Sequence, residues 1–460
     1  MNASTIILGF TGSIGSGCTY ISSAISKTSE KKYKYYKLSQ LLRDYLKSKG
    51  VINPTVEELQ DLGNNLRREK GPSNLVKRLI KDVINKDASI KGFDGVIVDG
   101  IKNQAEVFLL RQFPYFFLFS VISDENIRCK RSIENKIFKN RDDFLQADNR
   151  DKLENYEYGQ QVKICSDLAD IEILNNKQIP KASHNRRNEY IENIYNRYIR
   201  LIENLREGKQ SEDIQPTPDE LFMTVAYSLS KRSSCVKRKV GSVIVDNAST
   251  SGTVGSQGTE MVLGTPFIVS SGYNEVPIGS YKCIFHPDYE MCYRDYLQQE
   301  HANKIKHCPN CGAAVTVKSK CNCCKKEYDG FVKFCKGCRK EISILFKCNK
   351  CDIAIFEEYL PGGKETPGKL LDLCRSLHAE ENAIMKLVGI DRKYNGELVL
   401  YVTAQPCNLC ANKIVTAGIK KVVFSEPYEM KEATKILEAG GVTLQRFEGI
   451  KSTAYYKLYK

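Results

Sequence analysis

Short, nearly continuous apolar runs at residues 6–10, 95–98 and 115–121 alternate with longer stretches of helical character over the first ~205 residues. Strand–helix alternation of this kind predicts a parallel α/β sheet. The polar stretch 205–218, with REGKQSEDIQPTP at its heart and two prolines, predicts a linker. A helix is expected after it, with Thr217 as N-cap, Pro218 at its first position, and Asp219 and Glu220 in its first turn. Further strands are predicted at 240–246, 267–273, 397–403, 421–424 and 442–447. Two insertions interrupt this second module. Residues 247–264 are rich in Gly, Ser and Thr and predict a mobile loop. Residues 301–358 carry clustered cysteines. The expected layout is a first domain at 1–205, a linker at 206–217, and a second domain at 218–460 with the insertion 301–358 inside it.

The length of 460 residues agrees with two to four domains at about 100–200 residues each. Apolar residues make up 42% and charged residues 27%, the composition of a folded chain. The longest apolar run, residues 113–122, falls short of the ~20 residues that span a bilayer. The opening MNASTIILGFTG has no basic segment ahead of its apolar stretch and predicts a first core strand, not a secretory signal. A cytoplasmic protein without a membrane partner is therefore expected. Lys plus Arg exceed Asp plus Glu by 14. That balance favours phosphate-bearing partners, nucleotides or nucleic acid, with a generally basic surface as the alternative.

The most informative residues are Cys374-Arg-Ser-Leu-His378-Ala379-Glu380 and Pro406-Cys407-Asn-Leu-Cys410. His378, Cys407 and Cys410 offer one imidazole and two thiolates to a zinc ion, leaving the fourth tetrahedral position open for water. Zinc lowers the pKa of that water toward ~7. Glu380, two residues from His378, is placed to act as the catalytic acid and base without ligating the metal. The pattern is the H-x-E…P-C-x-x-C signature of zinc deaminases. His378 and Cys407 are each expected to open a helix, so that two helix N-termini meet at one metal. The alternative is a structural zinc, which normally has four protein ligands rather than three and a placed acid.

RSSC at 232–235, VGSVIVD at 240–246, GYNEVPIG at 272–279, HAEENAI at 378–384 and AGIKKVV at 417–423 resemble deoxycytidylate deaminases. The resemblance covers about 218–460 apart from the insertions. It implies a cytidine-deaminase-like α/β/α sandwich around a mixed sheet. It also implies that Asn274 contacts the sugar or base and that Ala379 lies against the pyrimidine. Glu275 stands where the family usually has Gly. Some relatives use cysteines like Cys235 and Cys283 in an extra structural zinc site. Cys283, His286 and Cys292 are candidates for one here, with buried free thiols as the alternative. Lys237 and Arg238, ahead of the 240–246 strand, are candidates to meet substrate phosphate.

Residues 12–19, GSIGSGCT, follow the first predicted strand and should open a helix. They fit the frame G-x-x-x-x-G-K-[ST] except that Cys18 replaces the lysine. Gly12, Gly15 and Gly17 let backbone N–H groups surround phosphate oxygens, and Thr19 is placed to hold Mg²⁺. Asp99, at the end of the 95–98 strand, resembles the acid that accompanies such loops. With the patterns 143–151 and 159–175, the segment resembles a degenerate P-loop nucleoside-monophosphate-kinase-like domain. Nucleoside triphosphate with Mg²⁺ is the implied ligand, and slow phosphoryl transfer the implied consequence of the missing lysine.

Four Cys-x-x-Cys pairs, Cys308/Cys311, Cys321/Cys324, Cys335/Cys338 and Cys348/Cys351, are separated by nine, ten and nine residues. In a chain without an export signal such pairs point to metal rather than disulfides. Two closed Cys₄ sites, and so two structural zincs in a double zinc ribbon, are expected; consecutive and interleaved pairing both stay open, and Cys323 is the odd thiol. The insertion carries 12 Lys plus Arg against 6 Asp plus Glu. It is either a nucleic-acid face or a solvated surface.

The fold expected overall is α/β, a P-loop kinase-like domain fused to a deaminase-like sandwich with a double zinc-ribbon insertion. This fusion resembles the anti-phage dCTP deaminases. That resemblance implies deamination of free dCTP and dCMP, depletion of the deoxycytidine pool during infection, and restraint by an inhibitory RNA or protein partner. A homo-oligomer is also expected. A housekeeping dCMP deaminase supplying dUMP and, ranked last, a nucleic-acid-editing deaminase remain as alternatives. An editing enzyme needs an open strand channel, commonly with stacking aromatics, and the chain has no Trp.

Overall fold

The computed structural model describes residues 5–28, 32–81, 92–154, 156–176, 184–209, 214–247, 250–253, 260–263, 266–285, 291–293, 295–296, 313, 315–321, 324–329, 343–348, 350, 354–355, 374–387, 397–427 and 430–459. Its strands are β1 (Ile6–Thr11), β2 (Tyr33–Lys37), β3 (Gly95–Asp99), β4 (Phe116–Ile122), β5 (Ile171–Leu174), β6 (Gly241–Asn247), β7 (Thr250–Thr253), β8 (Glu260–Leu263), β9 (Phe267–Tyr273), β10 (Val315–Lys320), β11 (Glu327–Asp329), β12 (Ser343–Cys348), β13 (Ala354–Ile355), β14 (Glu397–Ala404), β15 (Lys421–Glu426), β16 (Thr443–Arg446) and β17 (Gly449–Ile450). The chain forms two compact units. One comprises residues 1–225, 423–427 and 445–460; the other comprises 226–422 and 428–444.

The first unit is built on a six-stranded sheet in the order β17-β5-β4-β1-β3-β2. Strands β1 to β5 pair in parallel and β17 adds antiparallel to β5. Successive side chains of a strand point to opposite faces. Ile6, Leu8 and Phe10 of β1 accordingly enter one core with Phe117, Phe119 and Ile171, while Ile7 enters a second core with Val96, Val98 and Leu118. Burial on both faces explains why these strands are continuous apolar runs in sequence. The three strands of this sheet missing from the sequence-based prediction are short or polar: β2 reads YKYYK, β5 has four residues and β17 has two.

The last sixteen residues, expected with the second module, pack into the first unit. Ile450, Ala454 and Leu458 are buried in its core. Lys451 is buried too; its Nζ meets Glu172 Oε1 at 3.2 Å and donates to the Asp167 carbonyl at 3.0 Å. The helix Pro218–Ser230 begins where predicted. Thr217 N–H donates to Glu220 Oε2 at 2.8 Å, and Glu220 N–H to Thr217 Oγ1 at 3.2 Å, a reciprocal cap.

A second sheet has five strands in the order β16-β15-β14-β6-β9, with β14 and β9 both antiparallel to β6. Part of the Gly/Ser/Thr-rich insertion, expected as a loop, pairs as a two-stranded antiparallel ribbon of β7 and β8. In the cysteine-rich insertion β11-β10-β12-β13 form an antiparallel sheet. Among the described residues no helix is long and apolar enough to cross a membrane.

Candidate active site

Two helix starts converge in the second unit. His378 is the N-cap of the helix Ala379–Met385, and Cys407 is the N-cap of the helix Asn408–Thr416, which carries Cys410 in its first turn. His378 Nδ1 lies 3.3 Å from Cys407 Sγ and 3.4 Å from Cys410 Sγ. Among the described residues these three form the one group of potential ligands whose donor atoms all lie within 4.8 Å of one another. One imidazole and two thiols at that spacing suit zinc.

Side-chain hydroxyls bonded to backbone carbonyls and one ion pair support this arrangement. Ser242 Oγ donates to the Ala379 carbonyl at 2.8 Å, and Ser270 Oγ to the Ala383 carbonyl at 2.6 Å, tying this helix to β6 and β9. At Gly272 a Cβ would fall 2.3 Å from the Ala379 carbonyl oxygen, so only glycine lets strand and helix approach this closely. Lys413 on the second helix pairs with Glu381 on the first, and Glu381 Oε2 also accepts the His378 N–H at 3.4 Å. This pair was not legible in the sequence: its signal, an acid in one ligand helix and a base in the other, has no fixed spacing.

Electrostatics follow from burial and the short sulfur contacts. Glu380 is 4% exposed, and burial pushes its carboxyl up to about 7, against the opposing influence of His378. The Cys407 thiol is lowered, first by the hydrogen bond from Cys410. The His378 imidazole is raised, first by its hydrogen bond with Cys407.

Asn274 is 8% exposed, and both ends of its amide are engaged. Oδ1 accepts the Val240 N–H at 2.7 Å, and Nδ2 donates to the Arg238 carbonyl at 2.9 Å. An isolated antiparallel bridge between Glu275 and Leu377 brings this segment beside His378. The Glu275 carboxylate accepts from Ser234 Oγ and from the N–H groups of Ser234 and Val276, at 3.2 and 3.0 Å for the latter two. Ala379 is fully buried. Lys237 is ion-paired with Asp295 at 2.7 Å.

Of the eight cysteines expected in the zinc ribbon, Cys321 is buried and Cys324 exposed, with the Cys324 N–H donating to Cys321 Sγ at 3.5 Å. Cys348 ends β12. Cys308, Cys311, Cys335, Cys338 and Cys351 lie outside the described residues, as does His286. Burial raises the Cys283 thiol, and Cys235, Cys292 and Cys374 are close enough to add to that shift.

In the first unit, residues 12–17 join β1 to the helix Cys18–Thr28. Gly15 and Gly17 have φ of +79° and +88°. The loop is held from outside: Arg128 Nη1 donates to the Ile14 carbonyl at 2.9 Å and Asn175 Nδ2 to the Ser16 carbonyl at 2.7 Å. Asp99 ends β3 and accepts from Cys18 Sγ at 3.3 Å, Thr19 Oγ1 at 2.8 Å and Tyr35 Oη at 2.7 Å. Burial, then Asp99, raises the Cys18 thiol. The loop borders a cavity of about 1040 Å³.

Residues 216–426 match the family described as the cytidine and deoxycytidylate deaminase zinc-binding region. That segment is therefore a domain of the dCMP/cytidine deaminase family. The deoxycytidylate deaminase of Schizosaccharomyces pombe is 27% identical over 263 residues, 56% of this chain and 54% of that protein. The deoxycytidylate deaminase of Enterobacteria phage T4 is 27% identical over 210 residues, 45% of this chain and 77% of that protein. The chain spans about half the length of the first of these relatives. Among solved structures, the apo dCMP deaminase of cyanophage S-TIM5 is 17% identical, covers 51% of this chain and all of its own, and has a TM-score of 0.24.

Proposed function

We propose that the second unit hydrolytically deaminates free deoxycytidine nucleotides, dCMP and dCTP, to dUMP and dUTP. The observation that carries this is the buried Glu380 beside His378, Cys407 and Cys410 in a deaminase-family domain. Zinc held by those three side chains supplies a water acidified toward neutral pH. Glu380 moves the protons: it takes one from the attacking water and passes it to the pyrimidine ring nitrogen, then takes the second from the hydroxyl newly bonded to C4 and gives it to the amino group, which leaves as ammonia as the C4 carbonyl forms. A carboxyl held near 7 suits both directions of transfer at neutral pH. Ala379 forms the wall against the pyrimidine. Asn274 keeps a second amide hydrogen for the sugar or base while fixing residues 238–240. Lys237 and Arg238 meet the phosphates.

The first unit is a P-loop kinase-like domain that holds a nucleotide and transfers phosphate slowly at most. Support comes from the parallel sheet, the left-handed glycines of the loop, and the buried Ser16 Oγ and Ser132 Oγ, which have no partner among the described residues. The insertion holds two structural zincs. Its fusion of units resembles the anti-phage dCTP deaminases, which supports depletion of the deoxycytidine pool as defence, under restraint by an RNA or protein partner, in a cytoplasmic homo-oligomer. That the similar proteins of Schizosaccharomyces pombe and phage T4 are deoxycytidylate deaminases favours a second reading, a housekeeping supply of dUMP. Product analysis with dCMP, dCTP, CTP, cytidine and single-stranded DNA side by side tests both. Turnover of dCTP favours the first; dCMP alone favours the second; DNA alone overturns both.

A further inference from the structure

We infer that the cavity of the first unit holds one nucleotide with its base pointing inward, its phosphates on residues 12–19 and its base in a recess formed by Arg67 and Gln160. The inference rests on residues 12–19 being a phosphate site and adds what else that site recognises.

The cavity of about 1040 Å³ runs from the loop to the helices Leu38–Ser48 and Val56–Lys70. Ligand pockets reach roughly this size. Leu38, Leu42, Leu59 and Leu75 give it an apolar wall. Against that wall stand two buried polar side chains, Arg67 and Gln160, each 3% exposed. Arg67 is fixed by Glu106, with Nε at 3.1 Å and Nη2 at 3.0 Å from Oε1. Its Nη1 has no partner among the described residues. The Gln160 amide donates to Asn64 Oδ1 at 3.2 Å, and its Oε1 likewise has no partner.

The two groups converge. Both lie beside Gly63, where an added Cβ would sit 3.4 Å from Arg67 Nη1 and 3.7 Å from Gln160 Nε2. Buried polar atoms without partners are uncommon and point to something that completes them. Here that is a flat, largely apolar group with an acceptor beside a donor. A nucleobase presents this along its hydrogen-bonding edge: a carbonyl or ring nitrogen for Arg67 and an N–H for Gln160. Lys37 and Arg43 also line the cavity and add positive charge to it.

The chemistry of the loop argues for one ligand held in place. Phosphoryl transfer between two nucleotides depends on a cation bridging the terminal phosphates. At that position Cys18 turns its thiol to Asp99.

The test is calorimetry on the full-length, zinc-loaded protein with inorganic tripolyphosphate, dATP, dGTP and dTTP. Cytosine nucleotides are left out to keep the deaminase site from contributing. At least one of these nucleotides should bind once per chain, tenfold or more tighter than tripolyphosphate. Gln160→Leu should weaken that nucleotide fivefold or more and leave tripolyphosphate unchanged. Gly63→Leu, which fills the recess without removing a polar partner, should do the same. If neither tripolyphosphate nor any nucleotide binds, the phosphate loop fails and this inference with it. If tripolyphosphate binds as well as every nucleotide, or neither substitution discriminates, the loop survives and the inward base is overturned. Two nucleotides bound per chain and both lost in Gly63→Leu would also overturn the single-ligand pose.

Discussion

Lys237 Nζ lies 2.7 Å from Asp295 Oδ1, so the first cation ahead of β6 is already paired. The Lys237 side chain remains 37% exposed, whereas that of Asp295 is 9% exposed. The carboxylate thus fixes the ammonium and competes with any phosphate that approaches it. Lys237→Met should raise KM for dCTP about fivefold, on the order of 1 kcal/mol for a part-exposed charge pair, and change deoxycytidine much less. Asp295→Asn should shift dCTP in the opposite direction. Equal effects on both substrates would assign the pair to local stability; parallel steady-state kinetics decide.

Glu380→Gln keeps the shape of the buried side chain and removes its ability to carry protons. Deamination should fall by about 10²–10⁴-fold, while zinc content measured by atomic emission stays at the native value. His378→Ala and Cys407→Ser should each lose catalytic zinc and activity together. Near-native rates in Glu380→Gln would remove the proton-transfer role.

Metal analysis of the native protein should find about three zincs per chain, one at His378, Cys407 and Cys410 and two in the insertion, from the four-ligand rule for structural sites. Cys321→Ser with Cys324→Ser should remove one of them without lowering the Glu380-dependent rate per remaining catalytic zinc. A count of one would exclude closed Cys₄ sites in the insertion.

Asp170 offers a pH test in the first unit. Burial raises its carboxyl above the usual range, although Oδ2 accepts the Leu118 N–H at 2.8 Å and Arg111, Lys457 and Lys451 pull the other way. Raised in the fold, the group contributes stability that is full below its unfolded value of about 3.9 and is lost as pH rises through the folded value. Asp170→Asn removes that titration. The difference in melting temperature, native minus variant, should therefore shrink from acid toward neutral pH. A difference independent of pH would contradict the shift.

Deleting residues 446–460 removes β17 and the helix Ser452–Leu458 from the first unit. Ile450 and Leu458 alone account for about 1.5–3 kcal/mol each if fully buried. That is a large share of an ordinary domain's 5–15 kcal/mol. Limited proteolysis should cut residues 1–209 of the truncated protein rapidly and those of the full chain slowly.

The cluster of His378, Cys407 and Cys410 was legible because its information is local. A ligand at each of two helix N-caps, with an acid two residues on and a second thiol three residues on, is set by helix geometry, and His378, Glu380, Cys407 and Cys410 stand where that spacing puts them. The buried strands were legible for a similar reason: a strand covered on both faces must be apolar throughout, as β1, β3 and β4 are. The Thr217 cap is equally local. Tertiary structure alone decided the rest. YKYYK becomes a strand because β3 offers it an edge, and Tyr35 reaches Asp99 only then. The last sixteen residues join the first unit because Ile450 and Ala454 find a core almost 280 residues upstream, at β5. Asn274 spends its amide on Arg238 and Val240, and Arg67 meets Glu106, through turns that no spacing rule encodes. Periodicity along a chain reports which face a residue shows; it carries no record of which distant face comes to meet it, because that choice is made by packing, where many weak contacts are satisfied at once.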